Sequence, residues 1–247
     1  MSVWWRRHPG QGSPSRRLVC FPHAGGTAGA FLSWATAMPA GTELLAIQYP
    51  GRQERMLEPC IEDMHQMADR IAAELANHLD LPMLFFGHSM GSAVAYEVAL
   101  RLERQRDFTM RALFVSGRTS PHRITGEHRH QLPDADLVAA MSALGGPDVS
   151  VFRNAQLLPL ILPPLRADLR LLDAHRPPKM ELLNAPIVAY GGDADFTCPV
   201  DDLFAWQEAT TAGIQVRTYS GGHHFLRTAE KKVLAALSQQ VLAFSPH

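Results

Sequence analysis

The stretch from Met83 to Gly91 reads Met-Leu-Phe-Phe-Gly-His-Ser-Met-Gly, and it contains a GxSxG motif centred on Ser89. A serine hydroxyl is a weak nucleophile until a neighbouring base takes its proton, and that base needs an acid to fix its tautomer and stabilise the cation it becomes. Both partners are present later in the chain. Gly191-Gly192-Asp193-Ala194-Asp195-Phe196 holds two acids, and Ser220-Gly221-Gly222-His223-His224-Phe225 holds two histidines. Asp195 is the preferred acid with Asp193 as the fallback. His223 is preferred over His224, since adjacent side chains in an extended loop point in opposite directions and only one can reach Ser89. The chemistry implied is acyl transfer through a serine ester.

Such a site must be positioned by strands and tight turns. The four apolar residues Met83 to Phe86 suit a buried parallel strand, and Met90 to Gln105 reads as a helix with Gly91, Ala95, Val98 and Leu102 on one face. Between them the glycines permit a turn sharp enough to hold the hydroxyl above the sheet edge. An anionic tetrahedral intermediate also needs two converging N–H donors. Arg17 to Phe21 reads as a strand running into Phe21-Pro22-His23-Ala24-Gly25-Gly26, a glycine-bearing loop that can present its amides. The backbone N–H groups of Ala24 and Met90 are therefore the candidate donors.

Strands are further expected at Leu44 to Gln48, Ala112 to Ser116, Pro186 to Tyr190 and Gln215 to Tyr219. A helix is expected over Ile61 to Leu79, and an amphipathic helix closes the chain through Phe244. Alternating strands and helices predict a mostly parallel sheet flanked by helices. Trp4 and Trp5 suggest an edge strand or a plug. Arg52, Glu54 and Arg55 read as a solvated charge cluster at the rim of the site. The connection between Ser116 and Pro186 is roughly twice a simple crossover, so it holds an insertion. Asp134 or Asp136 is placed to cap a helix carrying Leu137, Met141 and Leu144. Asn154 is placed to cap a second, interrupted by Pro159, Pro163 and Pro164 and continued by Leu165, Leu169 and Leu172. Residues 122–176 are thus read as a helical lid inserted in a single domain, 1–247, supplying an apolar pocket. Serine, then acid, then histidine is the order of the α/β-hydrolase fold.

Composition narrows the partners. The chain has 247 residues, 46% of them hydrophobic, with a formal net charge of −1. That balance gives no reason to expect nucleic acid or an anionic membrane as partner. No apolar run reaches the ~18 residues that span a bilayer, and the N-terminal stretch lacks a signal-peptide core, so a cytoplasmic location is expected. Cys20, Cys60 and Cys198 are few and dispersed, which suits free thiols. His122, His128 and His130 cluster, but with no acidic partner at metal spacing no metal site is expected. His88, inside the turn, is expected to pack or hydrogen-bond there.

FPHAGG, LLAIQYPGR, GHSMG, GGDAD and GGHHFL occur in the order and spacing of the type II thioesterases that serve modular polyketide and nonribosomal peptide synthases, and the chain resembles that family from about Leu18 onward. Residue by residue, the resemblance implies Ser89 as nucleophile, Asp195 as acid, His223 as base, and the amides of Ala24 and Met90 as oxyanion donors. The family's histidine is usually followed by an aromatic residue or methionine, where this chain has His224. The implied activity is hydrolysis of acyl thioesters on the phosphopantetheine arms of acyl or peptidyl carrier proteins, clearing stalled or aberrant groups. No cofactor is implied, since the substrate itself carries the phosphopantetheine. Carrier proteins are commonly acidic, so Arg118, Arg123 and Arg129 are candidates for docking one. The alternatives are a small-molecule carboxylesterase, a chain-releasing acyl-carrier-protein hydrolase, or a non-catalytic binding protein on the same fold.

Overall fold

The computed structural model describes residues 2–104, 108, 110–124, 128–145 and 151–245. Seven strands form one sheet: β1 (Trp5–His8), β2 (Arg16–Phe21), β3 (Thr42–Ile47), β4 (Met83–His88), β5 (Met110–Ser116), β6 (Ile187–Gly192) and β7 (Ile214–Tyr219). Their spatial order is β1-β3-β2-β4-β5-β6-β7. All neighbours are parallel except β1, which pairs antiparallel with β3 along the edge. Each expected strand is found within about two residues of its expected ends.

The central strands are buried on both faces, which is why they read as unbroken apolar runs. Their side chains nonetheless alternate between two cores. Val19, Phe21, Phe85, Leu113 and Ala189 point to one layer, while Leu18, Cys20, Phe86, Phe114 and Tyr190 point to the other. Helices α1 (Met64–Leu75) and α2 (Met90–Glu103) cover the first layer. The 3-10 segment Ala28–Ala37 and the C-terminal helices α5 (Phe225–Thr228) and α6 (Glu230–Phe244) cover the second. There Trp34 meets Phe86 edge-on at 4.8 Å between ring centroids, a pairing worth about 1 kcal/mol beyond its buried area.

Helix α1 starts at Asp63, whose carboxylate accepts the Gln66 N–H at 2.7 Å. Its amphipathic stripe is Met64, Met67, Ala68, Ile71 and Leu75, shorter than the expected 61–79 because a 3-10 turn takes over at Ala76. Helix α2 is apolar nearly all round, with buried residues on every face, because it lies between the sheet and α1. Gln105, its expected last residue, lies outside the described residues. The two N-terminal tryptophans serve as both edge strand and plug. Trp5 lies in β1, and Trp4, also buried, receives the Arg55 guanidinium 4.1 Å from its ring centroid.

The excursion after β5 contains helices α3 (Asp134–Ala143) and α4 (Leu158–Ala174). Neither expected cap forms as drawn. Pro133 occupies the cap position of α3, and Asp134 instead meets Arg166 of α4 at 2.5 Å. Asn154 accepts the Gln156 N–H at 3.0 Å in a turn before α4 begins. The prolines do not break α4. Pro159 sits in its first turn, and the carbonyls that Pro163 and Pro164 leave without helical donors belong to the exposed residues Pro159 and Leu160, where water can reach them. Burial of Leu162, Leu165, Leu171 and Leu172 then carries the helix through. Residues 146–150, between the two helices in the chain, lie outside the described residues. Among those described, no helix is long and apolar enough to cross a membrane.

Candidate active site

Ser89 lies between the end of β4 and the start of α2 with φ 53° and ψ −117°. This backbone conformation is unfavourable for a residue with a side chain and costs about 1–3 kcal/mol. The surroundings enforce it. The Ser89 amide donates to the Ser116 carbonyl at 2.7 Å, and Ser92 Oγ donates to the Gly87 carbonyl at 2.9 Å. A Cβ on Gly87 would stand 2.2 Å from the Gly91 carbonyl oxygen, and one on Gly91 would stand 2.0 Å from that of Phe21. Both positions are therefore closed to any side chain, and the turn stays tight.

The loop after β7 brings His223 over the serine. Its Nε2 lies 3.1 Å from Ser89 Oγ, and its Nδ1 lies 2.8 Å from Asp195 Oδ2. The Asp195 side chain is shut off from solvent. Thr197 fixes the carboxylate from its other side, with its N–H and Oγ1–H donating to Oδ1 at 2.9 and 2.7 Å. Burial pushes the Asp195 carboxyl up, but the hydrogen bonds and charge of His223 and the Thr197 bonds outweigh it and hold the group below the usual carboxylate range. Asp193 has a different task. It accepts from the Gly221 N–H at 2.9 Å and from Ser220 Oγ at 3.2 Å, so it ties down the loop that carries His223. Thr197 went unnoticed in the sequence, although a hydroxyl two residues after a turn acid is a recurrent signal for such a contact.

Three further histidines, His23, His88 and His224, surround the site as neutral rings. His88 places Nδ1 3.0 Å from Ser116 Oγ. His224 packs on His23 and His88, with centroids 5.1 and 5.5 Å away. Burial, with His223 and Arg52 adding to it, brings His23 down to about 4. Burial, with His23 and His223, brings His224 to about 3. Burial likewise drives His88 well below the ordinary value. The unfolded chain protonates these rings near the ordinary 6.5, so their neutral burial stabilises the fold fully above that pH. That stability drains as pH falls from 6.5 toward 4, by up to about 1.4 kcal/mol per pH unit for each ring. The urea midpoint should therefore drop steadily between pH 7 and 4.5, and His23→Asn should flatten the dependence. A wild-type midpoint constant over that range would contradict this.

The two amides expected as oxyanion donors belong to Ala24, in the loop after β2, and Met90, the first residue of α2. Met90 opens α2, so its N–H is among those the helix leaves free and is backed by the helix dipole. Ala24 lines the same cavity as Ser89 and His223. Among the described residues, its amide meets no protein acceptor. The cavity has a volume of about 210 Å³, and its far wall comes from the excursion after β5, with Met141 and Leu144 from the α3 end and Leu169 and Leu172 from α4. Arg118, Arg123 and Arg129 also line it. Arg123 pairs with Glu208 at 2.6 Å.

Several expectations need correcting. Arg52 and Arg55 are buried, not solvated: Arg52 binds Asp168 of α4, and Arg55 donates to the Gln48 carbonyl at 2.7 Å and pairs with Glu58. Glu54 pairs with Arg6 at the surface. The histidine cluster does meet an acid. His130 Nδ1 lies 2.6 Å from Asp173 Oδ2, and ligand atoms of His128, His130 and Asp173 lie within 4.8 Å of one another. Asp173 comes from α4, far along the chain, so sequence spacing could not show it. His122 is engaged elsewhere, 2.9 Å from Glu208. The three cysteines are free.

A mostly parallel sheet with the serine on a strained strand-to-helix turn, a histidine on the loop after the last strand and a buried acid behind it defines a serine hydrolase of the α/β-hydrolase class. Comparison with known proteins gives the particular family. A model of the thioesterase domain matches residues 16–241, and the chain belongs to the thioesterase family as a thioester hydrolase. It is 36% identical to thioesterase PikA5 of Streptomyces venezuelae, over 97% of this chain and 86% of that one. It is 32% identical to the gramicidin S biosynthesis protein GrsT of Aneurinibacillus migulanus, over 91% and 88% respectively. The solved structure of the type II thioesterase BorB, from the borrelidin biosynthetic cluster, superposes with a TM-score of 0.88 at 34% identity, covering 96% of this chain and 97% of BorB. These likenesses place the chain on the type II branch.

Proposed function

We propose that this protein clears acyl groups from the phosphopantetheine arms of carrier proteins in a polyketide or nonribosomal peptide assembly line, with Ser89 as nucleophile, His223 as base and Asp195 as the acid behind it. The observation that carries this reading is the unbroken chain of contacts Ser89–His223–Asp195 at the floor of a cavity walled by the helical excursion. His223 takes the Ser89 proton as Oγ attacks the thioester carbonyl. The C–S bond then breaks, and the pantetheine sulfur leaves as a thiol with the proton His223 held. Water, deprotonated by the same ring, attacks the acyl-serine, releases the acid and restores the hydroxyl. The amides of Ala24 and Met90 hold the anionic oxygen in both steps. Every proton and bond is accounted for by the protein and water, so the reaction needs no cofactor.

The excursion, residues 122–176, acts in this reading as a lid whose leucines receive the acyl chain. Arg118, Arg123 and Arg129, at the cavity, meet the acidic face of the carrier. The test compares a short acyl group on a phosphopantetheinylated carrier protein, the matching acyl-coenzyme A and a p-nitrophenyl ester. The carrier-bound thioester should be turned over best, and Arg123→Glu should raise its KM several-fold while leaving the ester unchanged. Strong preference for the free ester would make the protein a small-molecule carboxylesterase. An unaltered carrier KM in the arginine variant would remove the docking role.

A further inference from the structure

Among the described residues, side chains hold the backbone of the loop that carries Ala24 at four points, two of them through a single buried ion pair. Tyr49 Oη donates to the Pro22 carbonyl at 3.3 Å, and Gln48 Oε1 accepts the Ala28 N–H at 2.9 Å. Between these ties, Asp168 Oδ2 accepts the Gly25 N–H at 2.8 Å, and Arg52 Nη1 reaches the Gly26 carbonyl at 3.3 Å. Asp168 and Arg52 also grip each other in a fork, with Nη1 to Oδ2 at 2.5 Å and Nη2 to Oδ1 at 2.8 Å. Three of the four gripping side chains come from the segment after β3, and the fourth comes from α4. Leu165, one turn before Asp168, packs on Gly25, so that a Cβ there would stand 3.3 Å from its Cδ1.

Asp168 is fully buried and Arg52 is 6% exposed. Such a pair is weak evidence of stabilisation, since desolvating both charges offsets most of their attraction. It does fix geometry, because the fork has one good orientation and both partners also hold the same peptide segment. The N–H one residue before the clamped Gly25 is that of Ala24, which meets no protein acceptor among the described residues. A donor is useful to a transition state only if it is already aimed at the developing charge.

We propose that Asp168 is a positioning residue. From α4 it clamps Gly25 and so aims the Ala24 N–H at the oxyanion, with Arg52 holding its carboxylate in place. The oxyanion site is then complete only while α4 is seated on the loop, which links acyl-pocket closure to transition-state stabilisation. This rests on the assignment of Ser89 and Ala24 made above.

Asp168→Asn alone leaves Arg52 buried without its counter-charge and is liable to unfold, so the test uses the neutral pair Arg52→Met with Asp168→Leu beside it. Active serines are counted by fluorophosphonate titration carried to its endpoint, and kcat and KM for an acyl-coenzyme A are expressed per titrated site. The double variant should keep its active serines and its pH profile, and should lose about 10- to 100-fold in kcat with KM within about twofold. Its affinity for a trifluoromethyl ketone, which forms an oxyanion on Ser89, should fall by a similar factor. A kcat per site within about threefold of wild type, with only a lower melting temperature, would show a purely structural pair and overturn the proposal. Wild-type protein that takes up no fluorophosphonate at Ser89 would instead overturn the nucleophile assignment, and the positioning role with it.

Discussion

Ser89→Ala should lower kcat for any acyl thioester by about 10⁴-fold or more while leaving the protein folded. The hydroxyl is the atom that His223 Nε2 approaches at 3.1 Å, and no other hydroxyl is bonded to that nitrogen among the described residues. What survives is binding and the oxyanion amides, which accelerate attack by water only modestly. Folding should be nearly unaffected, since alanine meets the same backbone strain at φ 53° that serine already tolerates. The variant should therefore bind an acyl-coenzyme A with little change in Kd and take up no fluorophosphonate. Steady-state turnover within 100-fold of wild type would mean that a different residue performs the attack.

Asp195→Asn is expected to cost about 10⁴-fold in kcat with even less structural disturbance. Asp195 Oδ2 accepts from His223 Nδ1 at 2.8 Å, which leaves Nε2 as the free base facing Ser89. Thr197 donates twice to Oδ1, so an asparagine would keep its own oxygen there and turn its NH₂ toward the ring. The ring would then carry its proton on Nε2, the wrong nitrogen for accepting one from serine. Asp193→Asn is the control, because the Asp193 carboxylate bonds Ser220 and the Gly221 N–H and, among the described residues, makes no hydrogen bond to His223; it should lose less than about tenfold. Equal losses in the two variants would mean that the loop, not the ring tautomer, depends on the acids. A sign follows for stability too. The folded Asp195 carboxyl lies below its ordinary 3.8, so its contribution is present above that pH and is lost as pH falls through the lower folded value.

Much of this site was legible in the sequence because its parts are local. Gly87 and Gly91 flank Ser89 at the spacing of a tight strand-to-helix turn, and short apolar runs and period-3.6 stripes announced the strands and helices around it. The choice between Asp193 and Asp195, and between His223 and His224, could only be ranked from the sequence. Both members of each pair sit in one short loop, and which one reaches inward depends on how β6 and β7 lie side by side in the sheet.

The sequence by itself determined the strand-serine-helix elbow, the chain order of serine, acid loop and histidine loop, and the long connection after Ser116, because each is written in turn residues and hydrophobic period. Only the tertiary structure decided that α4 runs through three prolines, that Asp173 joins His130, and that Arg52 is a buried partner of Asp168 rather than part of a wet rim. The physical reason is the same each time. A charge or a proline is read locally as a surface or a break, and only burial against a distant segment supplies the partner or the packing that reverses that reading.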